Sequence, residues 1–196
     1  LLADGQLHAG PALAGRLGTR RAEVWKLVAE LRRLGVDVVS EERRGYRLRE
    51  ECELLDARRI LAAAAATGEA LPGELDVLFS IDSTNEYLYT AQAIRAGHPR
   101  VVFAELAGRG RRGRAWLAPF GSGLTFSVGW TYPELPADLS ALSLAMGVQV
   151  ANVLRDLGAS ETMLKWPNDV VWRHRKLGGL LIQLKLEGGG AASIVV

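Results

Sequence analysis

Apolar residues Val24, Leu27, Val28, Leu31 and Leu34 recur at i, i+3, i+4, i+7 and i+10, and that spacing commits about Arg20 to Leu34 to a helix with one buried face. Thr19 is placed to cap its start and Gly35 to supply the residue just past its end. Upstream, Pro11 to Leu17 reads as a shorter helix closed by Gly18, so a tight glycine-containing turn joins the two. Val36 to Val39 and Tyr46 to Leu48 are strand-like and flank the polar run Glu41 to Gly45, which predicts a β-hairpin. Helix, turn, helix and hairpin make a winged-helix arrangement, expected over residues 1–52.

That quarter is also the basic part of the chain. Residues 1–50 carry ten Lys/Arg against seven Asp/Glu, whereas the remainder carries fourteen against fifteen, so the overall formal charge of +2 hides the asymmetry. Twenty of the twenty-four basic residues are arginine, the side chain suited to bidentate recognition of phosphate and carboxylate. Arg20, Arg21 and Lys26 near the start of the longer helix, with Arg43 and Arg44 in the hairpin, are the candidate contacts to duplex DNA. A domain that only mediates protein contacts is the competing reading.

Glu50 to Leu55 is a charged connector leading to a helix from about Asp56 to Ala66, followed by a Gly/Pro-containing loop from Thr67 to Leu75, so residues 53–76 are assigned as the link to a second domain over 77–196. There the pattern mixes strand-like segments at Val77 to Ile81, Val101 to Ala104, Leu124 to Trp130, Thr162 to Trp166 and Leu180 to Leu186 with helices. Ser83-Thr84-Asn85-Glu86 has capping-box spacing for a helix running to about Ala96, and a second amphipathic helix covers about Leu139 to Leu157 before Gly158. Strands and helices without strict alternation predict an α+β fold with a mixed sheet. The apolar end Ile194-Val195-Val196, with no turn after it, leads us to expect that a C-terminal part is missing.

Several classes of protein are excluded. A hydrophobic fraction of 48% with 23% charged residues suits a globular chain rather than a disordered one. The longest small-residue run, Leu61 to Ala66, is far short of a membrane span. Cys52 is the only cysteine, and no Cys/His cluster has zinc-ligand spacing, so no metal-ligating set is predicted and a reducing compartment is expected. With no signal-peptide pattern at the start, a cytoplasmic location is expected. His8, His98 and His174 stand singly among polar neighbours and read as surface residues.

The chemistry concentrates in three segments. Gly108 to Arg114 packs four arginines and three glycines into seven positions, which suits a loop that approaches an anion with backbone N–H groups and neutralises it with guanidinium charge. A solvated basic loop or an RNA-binding tract is the plainer alternative. Lys165-Trp166-Pro167-Asn168-Asp169 follows a strand, where Pro167 ends pairing and Asn168-Asp169 favour a turn; a simple strand-turn-strand with Trp166 in the core would read the same way. Lys176 stands just before Gly178-Gly179, expected to open an apolar strand at a close backbone approach or a bulge.

In order, Asp82-Ser83-Thr84-Asn85, Gly108 to Arg114 with Trp116, Lys165 to Asp169, and Lys176-Leu177-Gly178-Gly179 resemble the biotin protein ligases, and with the N-terminal winged helix the bifunctional kind that also represses the biotin operon. The resemblance covers essentially the whole chain. It implies a catalytic core related to class II aminoacyl-tRNA synthetases, ATP and biotin as substrates with Mg2+, biotinyl-5′-adenylate as intermediate, and a lysine of a biotin carboxyl carrier protein as acceptor. It further implies operator DNA as a partner and a homodimer in the adenylate-bound state. By the same resemblance Ser83, Thr84 and Asn85 receive the ureido end of biotin, and Gly110, Gly178 and Gly179 border it. Arg109 and Arg111 close over biotin and the adenylate phosphate, with Arg114 beside the nucleotide. Trp116 packs on adenine, and Asn168 and Asp169 flank the nucleotide. Lys176 lies near the biotin carboxylate and the α-phosphate, so Lys176 and Arg111 are the implied catalytic pair. One position departs from the family: glutamine usually stands three residues before the first loop glycine, where this chain has Glu105; alternatively, a short deletion between Glu105 and Ala107 restores the family's register, since its pattern has Ala-Glu followed by more residues before the loop. A ligand-sensing regulator without catalysis and a lipoate ligase relative are the alternative functions.

Overall fold

The computed structural model describes residues 1–68, 73–90, 94–108, 116, 118–135 and 139–196. The N-terminal helices are α1 (Gly10–Arg16), with Pro11 in its first turn, and α2 (Arg21–Arg33). Both end as the glycines foretold. Gly18 and Gly35 adopt φ of 62° and 86°, and past them Thr19 N–H reaches Ala14 O and Val36 N–H reaches Leu31 O, closing the last turns. Thr19 is therefore occupied in ending α1 and does not cap α2, whose N-cap is Arg20. The hairpin of β1 (Val38–Glu41) and β2 (Gly45–Leu48) follows, paired Val38 to Leu48. Arg32 fastens it to α2, donating to Val38 O and Ser40 Oγ.

Leu13, Ala14, Val24, Val28, Val36, Val38 and Leu48 form the core of this unit, with Leu31 and Tyr46 packed at its edge. Leu27, expected inside, is 49% exposed, and so is neighbouring Trp25 at 62%; the stripe on α2 is narrower than its periodicity suggests. His8 is not a free surface residue. Its backbone bridges to Tyr46, and its ring pairs with Asp4 at 2.8 Å, which holds the Asp4 carboxyl below its usual range.

After α3 (Ala57–Ala66), whose first turn is capped by Asp56 accepting from Arg59 N–H, the chain enters β3 (Glu74–Ile81), whose first two residues fall in the stretch read as loop. Then come α4 (Thr84–Thr90), β4 (Arg100–Ala107), β5 (Thr125–Tyr132) and α5 (Leu139–Asp156). The chain continues through β6 (Thr162–Lys165), β7 (Asp169–Trp172), β8 (Arg175–Gly179), β9 (Gln183–Leu186) and β10 (Ala192–Val195). Among the described residues β3-β4-β5-β10-β9 form one sheet and β6-β7-β8 another. The larger sheet is mixed as expected: β3 and β4 run parallel, and the other pairs are antiparallel.

Helix α4 does not continue to Ala96. Ile94 lies outside any helix, is 5% exposed, and its carbonyl accepts from Thr131 Oγ1 of β5 rather than from a helical N–H. Its side chain joins Leu88, Val102 and Val195 in the core beneath the sheet, so close to Gly129 that a β-carbon there would meet Ile94 Cδ1 at 2.5 Å. The segment read as a strand over Leu180 to Leu186 also differs: Gly178 and Gly179 end β8, and pairing resumes only at Gln183.

Candidate functional site

The residues between those two strands explain the interruption. Asn168 grips Leu180 twice, accepting its N–H at 2.8 Å and donating Nδ2 to its carbonyl at 2.9 Å. One residue on, Leu181 O accepts from Asn85 Nδ2 at 3.0 Å. The carbonyls of Leu180 and Leu181 thus go to two asparagine side chains, while the Leu180 N–H goes to the backbone carbonyl of Asn168, and the segment joins two clusters of polar residues.

The first cluster sits at the start of α4. Ser83 caps the helix, its Oγ accepting from Glu86 N–H, as the capping-box spacing required. Thr84 and Asn85 are buried, and both lie against Ser127 of β5, whose Oγ is 2.8 Å from Thr84 Oγ1 and 2.5 Å from Asn85 Oδ1. Ser127 Oγ is the donor to both, its one proton shared between Asn85 Oδ1, which can only accept, and Thr84 Oγ1. The result is a buried, uncharged group of donors and acceptors, suited to a neutral polar ligand and costly for an ion to enter. Ser127 escaped the sequence reading. Its signal was there in Thr125-Phe126-Ser127-Val128-Gly129-Trp130-Thr131, where small or polar residues alternate with large ones at period two.

Replacing Ser127 with alanine removes the hydroxyl with little change in volume and takes from Asn85 Oδ1 and the Thr84 hydroxyl the partner they share. A loss of about 1–3 kcal/mol in unfolding free energy is expected. Urea titration should show a lowered midpoint with unchanged slope.

The second cluster sits where β6, β7 and β8 meet. The Trp166–Pro167 peptide bond is cis, and Lys165 pairs with Asp169 across the β6–β7 hairpin, so Asp169 begins a strand rather than lying in the turn. Trp166 is 89% exposed, which removes the reading that put it in the core. Lys176 Nζ donates to Asp169 Oδ1 at 2.6 Å and lies 5.4 Å from the ring centre of Trp116. The Lys176 side chain passes over Gly179, where a β-carbon would lie in ordinary contact with Nζ at 3.4 Å. Trp116 in turn is held by its own N–H on Gly108 O at 2.9 Å, and Gly108 N–H reaches Asp82 O at 3.2 Å. Four motifs far apart in sequence therefore converge: Asp82 to Asn85, Gly108 with Trp116, Asn168 with Asp169, and Lys176 to Gly179.

Arg109, Gly110, Arg111 and Arg114 lie outside the described residues. Glu105, by contrast, faces away from the Thr84–Asn85 cluster, with its carboxylate accepting the N–H of Leu55 in the connector before α3. It also sits near Cys52, whose thiol is pushed up by burial first and then by the charges of Glu105 and Glu51. Substituting Glu105→Gln should therefore modestly speed alkylation of Cys52 by iodoacetamide at pH 8, since burial, the larger cause, is retained.

Of the residues assigned to DNA, Arg20 and Arg21 are exposed at the start of α2, Lys26 pairs with Glu23 at 2.9 Å, and Arg44 pairs with Glu41 at 2.7 Å. Arg43 stands in the hairpin turn at φ 60°. Exposed pairs of this kind are worth little and exchange readily for another anion.

Comparison with known proteins bears on the whole chain. The sequence profile of the biotin/lipoate A/B protein ligase family matches residues 77–196. The bifunctional ligase/repressor BirA of Salmonella typhimurium is 44% identical over 197 aligned residues, and that of Escherichia coli 42%, each alignment spanning 100% of this chain and 60% of the relative. The chain thus spans about 60% of the length of these curated relatives. Among solved structures, biotin protein ligase from Leishmania major in complex with biotin superposes with a TM-score of 0.52 at 26% identity, over 63% of this chain and 55% of that one. With a family profile matched across more than half its length, the chain belongs to the biotin/lipoate A/B protein ligase family.

Proposed function

We propose that this chain is a biotin protein ligase that activates biotin with ATP and delivers it to a lysine of a biotin carboxyl carrier protein, and that its N-terminal winged helix (residues 1–52) binds operator DNA as a repressor. The observation that carries the reading is the bridge of Asn168, Leu180, Leu181 and Asn85, which sets a neutral polar cluster and the Lys176–Asp169 ion pair at the two ends of a single short segment. Biotin has that polarity, a neutral ureido ring at one end and a carboxylate at the other.

In this reading Ser83, Thr84 and Asn85, steadied by Ser127, hold the ureido group, with Gly178 and Gly179 bordering the acid. Trp116 offers its ring to adenine, while Asn168 and Asp169 flank the ribose and phosphates. A biotin carboxylate oxygen attacks the α-phosphorus of ATP and pyrophosphate leaves, giving biotinyl-5′-AMP. The Lys176 ammonium offsets the charge gathered as two anions meet. Arg109, Arg111 and Arg114 are proposed to shield and neutralise the same phosphate. A carrier lysine amine then attacks the acyl carbon, AMP leaves, and an amide remains.

Mg2+ accompanies ATP and is held mostly by phosphate oxygens and water, with one or two protein carboxylates. Among the described residues no group of three or more His, Cys, Asp or Glu forms a metal cage, which suits an ion carried by nucleotide, and Asp169 is the carboxylate that would hold it. The adenylate-bound protein is proposed to dimerise, bringing two winged helices to a two-fold operator. No described helix is long and apolar enough to cross a membrane, and cytoplasmic action is part of the proposal. The identities of the relatives, named ligase/repressor along the whole of this chain, favour the enzyme over a sensor without catalysis. Biotin-dependent ATP–pyrophosphate exchange tests it: exchange is expected with biotin, while exchange only with lipoate, or none, would defeat the reading.

A further inference from the structure

Three features of the strand end before Gly108 stand apart from the ligand clusters. The Glu105 carboxylate accepts the Leu55 N–H fifty residues away in sequence. Next to it, Leu106 packs on the core formed by Leu13, Val24, Val28, Val36 and their neighbours in the N-terminal unit. On the far side of the Gly/Arg segment, Phe120 packs on the same core, and the α-carbon of Gly121 lies so near Cys52 that a β-carbon there would meet Cys52 Cβ at 3.2 Å. Residues 1–55 therefore touch the chain both before and after the segment that the sequence marks as anion-binding. From Glu105 the backbone leads in three residues to Gly108, whose carbonyl holds Trp116, whose ring lies beside the Lys176 ammonium.

We propose that Glu105 is a positioning residue for the nucleotide: by holding the Leu55 amide, its carboxylate sets the end of β4 against the N-terminal unit and so fixes Trp116 beside Lys176. The proposal rests on the ligase reading above. It assigns Glu105 to the connector before α3 and away from biotin. A carboxylate bonded to a backbone N–H is among the stronger hydrogen bonds, and it joins segments that no strand pairing connects. Small displacements of a positioned group cost rate steeply, so loss of this tie is felt at the nucleotide rather than at the ureido cluster, which is held by α4 and β5.

The test compares Glu105→Ala with Glu105→Gln in the whole protein. Glutamine retains an oxygen that accepts from Leu55 and loses the charge; alanine loses both. For Glu105→Ala we expect ATP affinity to weaken about tenfold, the loss of one charge-assisted hydrogen bond's worth of positioning, with biotin affinity within about twofold and faster hydrogen exchange at the Leu55 amide. Glu105→Gln, which keeps the acceptor and loses only the charge assistance, is expected to lose about threefold in ATP affinity, clearly less than Glu105→Ala, with biotin affinity unchanged and Leu55 exchange between that of the parent and that of Glu105→Ala. Equal damage from both variants, or biotin affinity falling as far as ATP affinity, would show the charge acting on ligand directly and overturn the proposal. Fast Leu55 exchange with unchanged ATP affinity would overturn it as well. Because these readouts need binding and not turnover, absence of biotin-dependent exchange in the parent protein would defeat the ligase reading separately.

Discussion

Lys176→Ala is expected to slow formation of biotinyl-adenylate by roughly 10²- to 10³-fold, the usual cost of losing one preorganised electrostatic donor. Biotin affinity should change far less. In the ground state the ammonium has a partner already, Asp169 at 2.6 Å, and its side chain is 45% exposed, so it adds little to holding a single carboxylate. Charge accumulates only when that carboxylate meets the α-phosphate, and an interaction stronger in the transition state than in the ground state appears in rate rather than in binding. Arginine at 176 keeps the charge but spreads it over a planar fork in place of a compact ammonium, so Lys176→Arg should recover only part of the rate. Single-turnover measurement at saturating biotin and ATP separates the two effects. Normal adenylation speed with a raised biotin Kd would place the lysine in binding alone.

What the sequence disclosed and what it concealed divide along physical lines. Helices α1 and α2 were legible because apolar spacing and terminal glycines are local signals, and Gly18 and Gly35 sit where those signals placed them. The conflict at Thr19 was local too, yet undecidable: the same residue suited the end of one helix and the start of the next. Helix α4 was overrun because residues after Thr90 have helical composition, while Ile94 is claimed by the core under β5, a contact set by residues more than thirty positions away. Leu180 to Leu186 misled for the reverse reason. An apolar run reads as strand, but two of its backbone units are taken by Asn168 and Asn85, which no periodicity can announce.

The candidate site followed the same rule. Residues of unusual type at unusual density, such as Lys176, Asp169, Asn85 and Trp116, stood out, and the fold brings them to the two ends of one short segment. Ser127 did not, because a serine in a strand is ordinary until its partners are known. Glu105 was noticed only as a departure at a place where glutamine was expected. Its partner, Leu55 N–H, is a backbone group and leaves no trace in the sequence.

Binding of duplex DNA by the basic N-terminal face should be the most salt-sensitive property of the protein, and its steepness reports how many copies engage. If Arg20, Arg21, Lys26, Arg43 and Arg44 each neutralise one phosphate, one copy releases counterions with a logarithmic slope of about −4.5, and a pair on a two-fold operator about −9. Between 50 and 200 mM salt those slopes correspond to losses of about 500-fold and about 10⁵-fold in affinity. The ion pairs Lys26–Glu23 and Arg44–Glu41 must open to release their cations to phosphate, but both are exposed, and the cost is small beside the counterions set free. Arg20→Ala with Arg21→Ala should lower the slope by about one unit per contact removed and weaken binding on every sequence alike. Exposed Trp25 and Leu27 on α2 add apolar surface beside these charges and should leave the slope untouched when replaced. The informative titration is run with and without biotin plus ATP. A slope that doubles with ligand identifies the adenylate as the signal for pairing, and a slope near zero in both would reduce residues 1–52 to a protein-contact module.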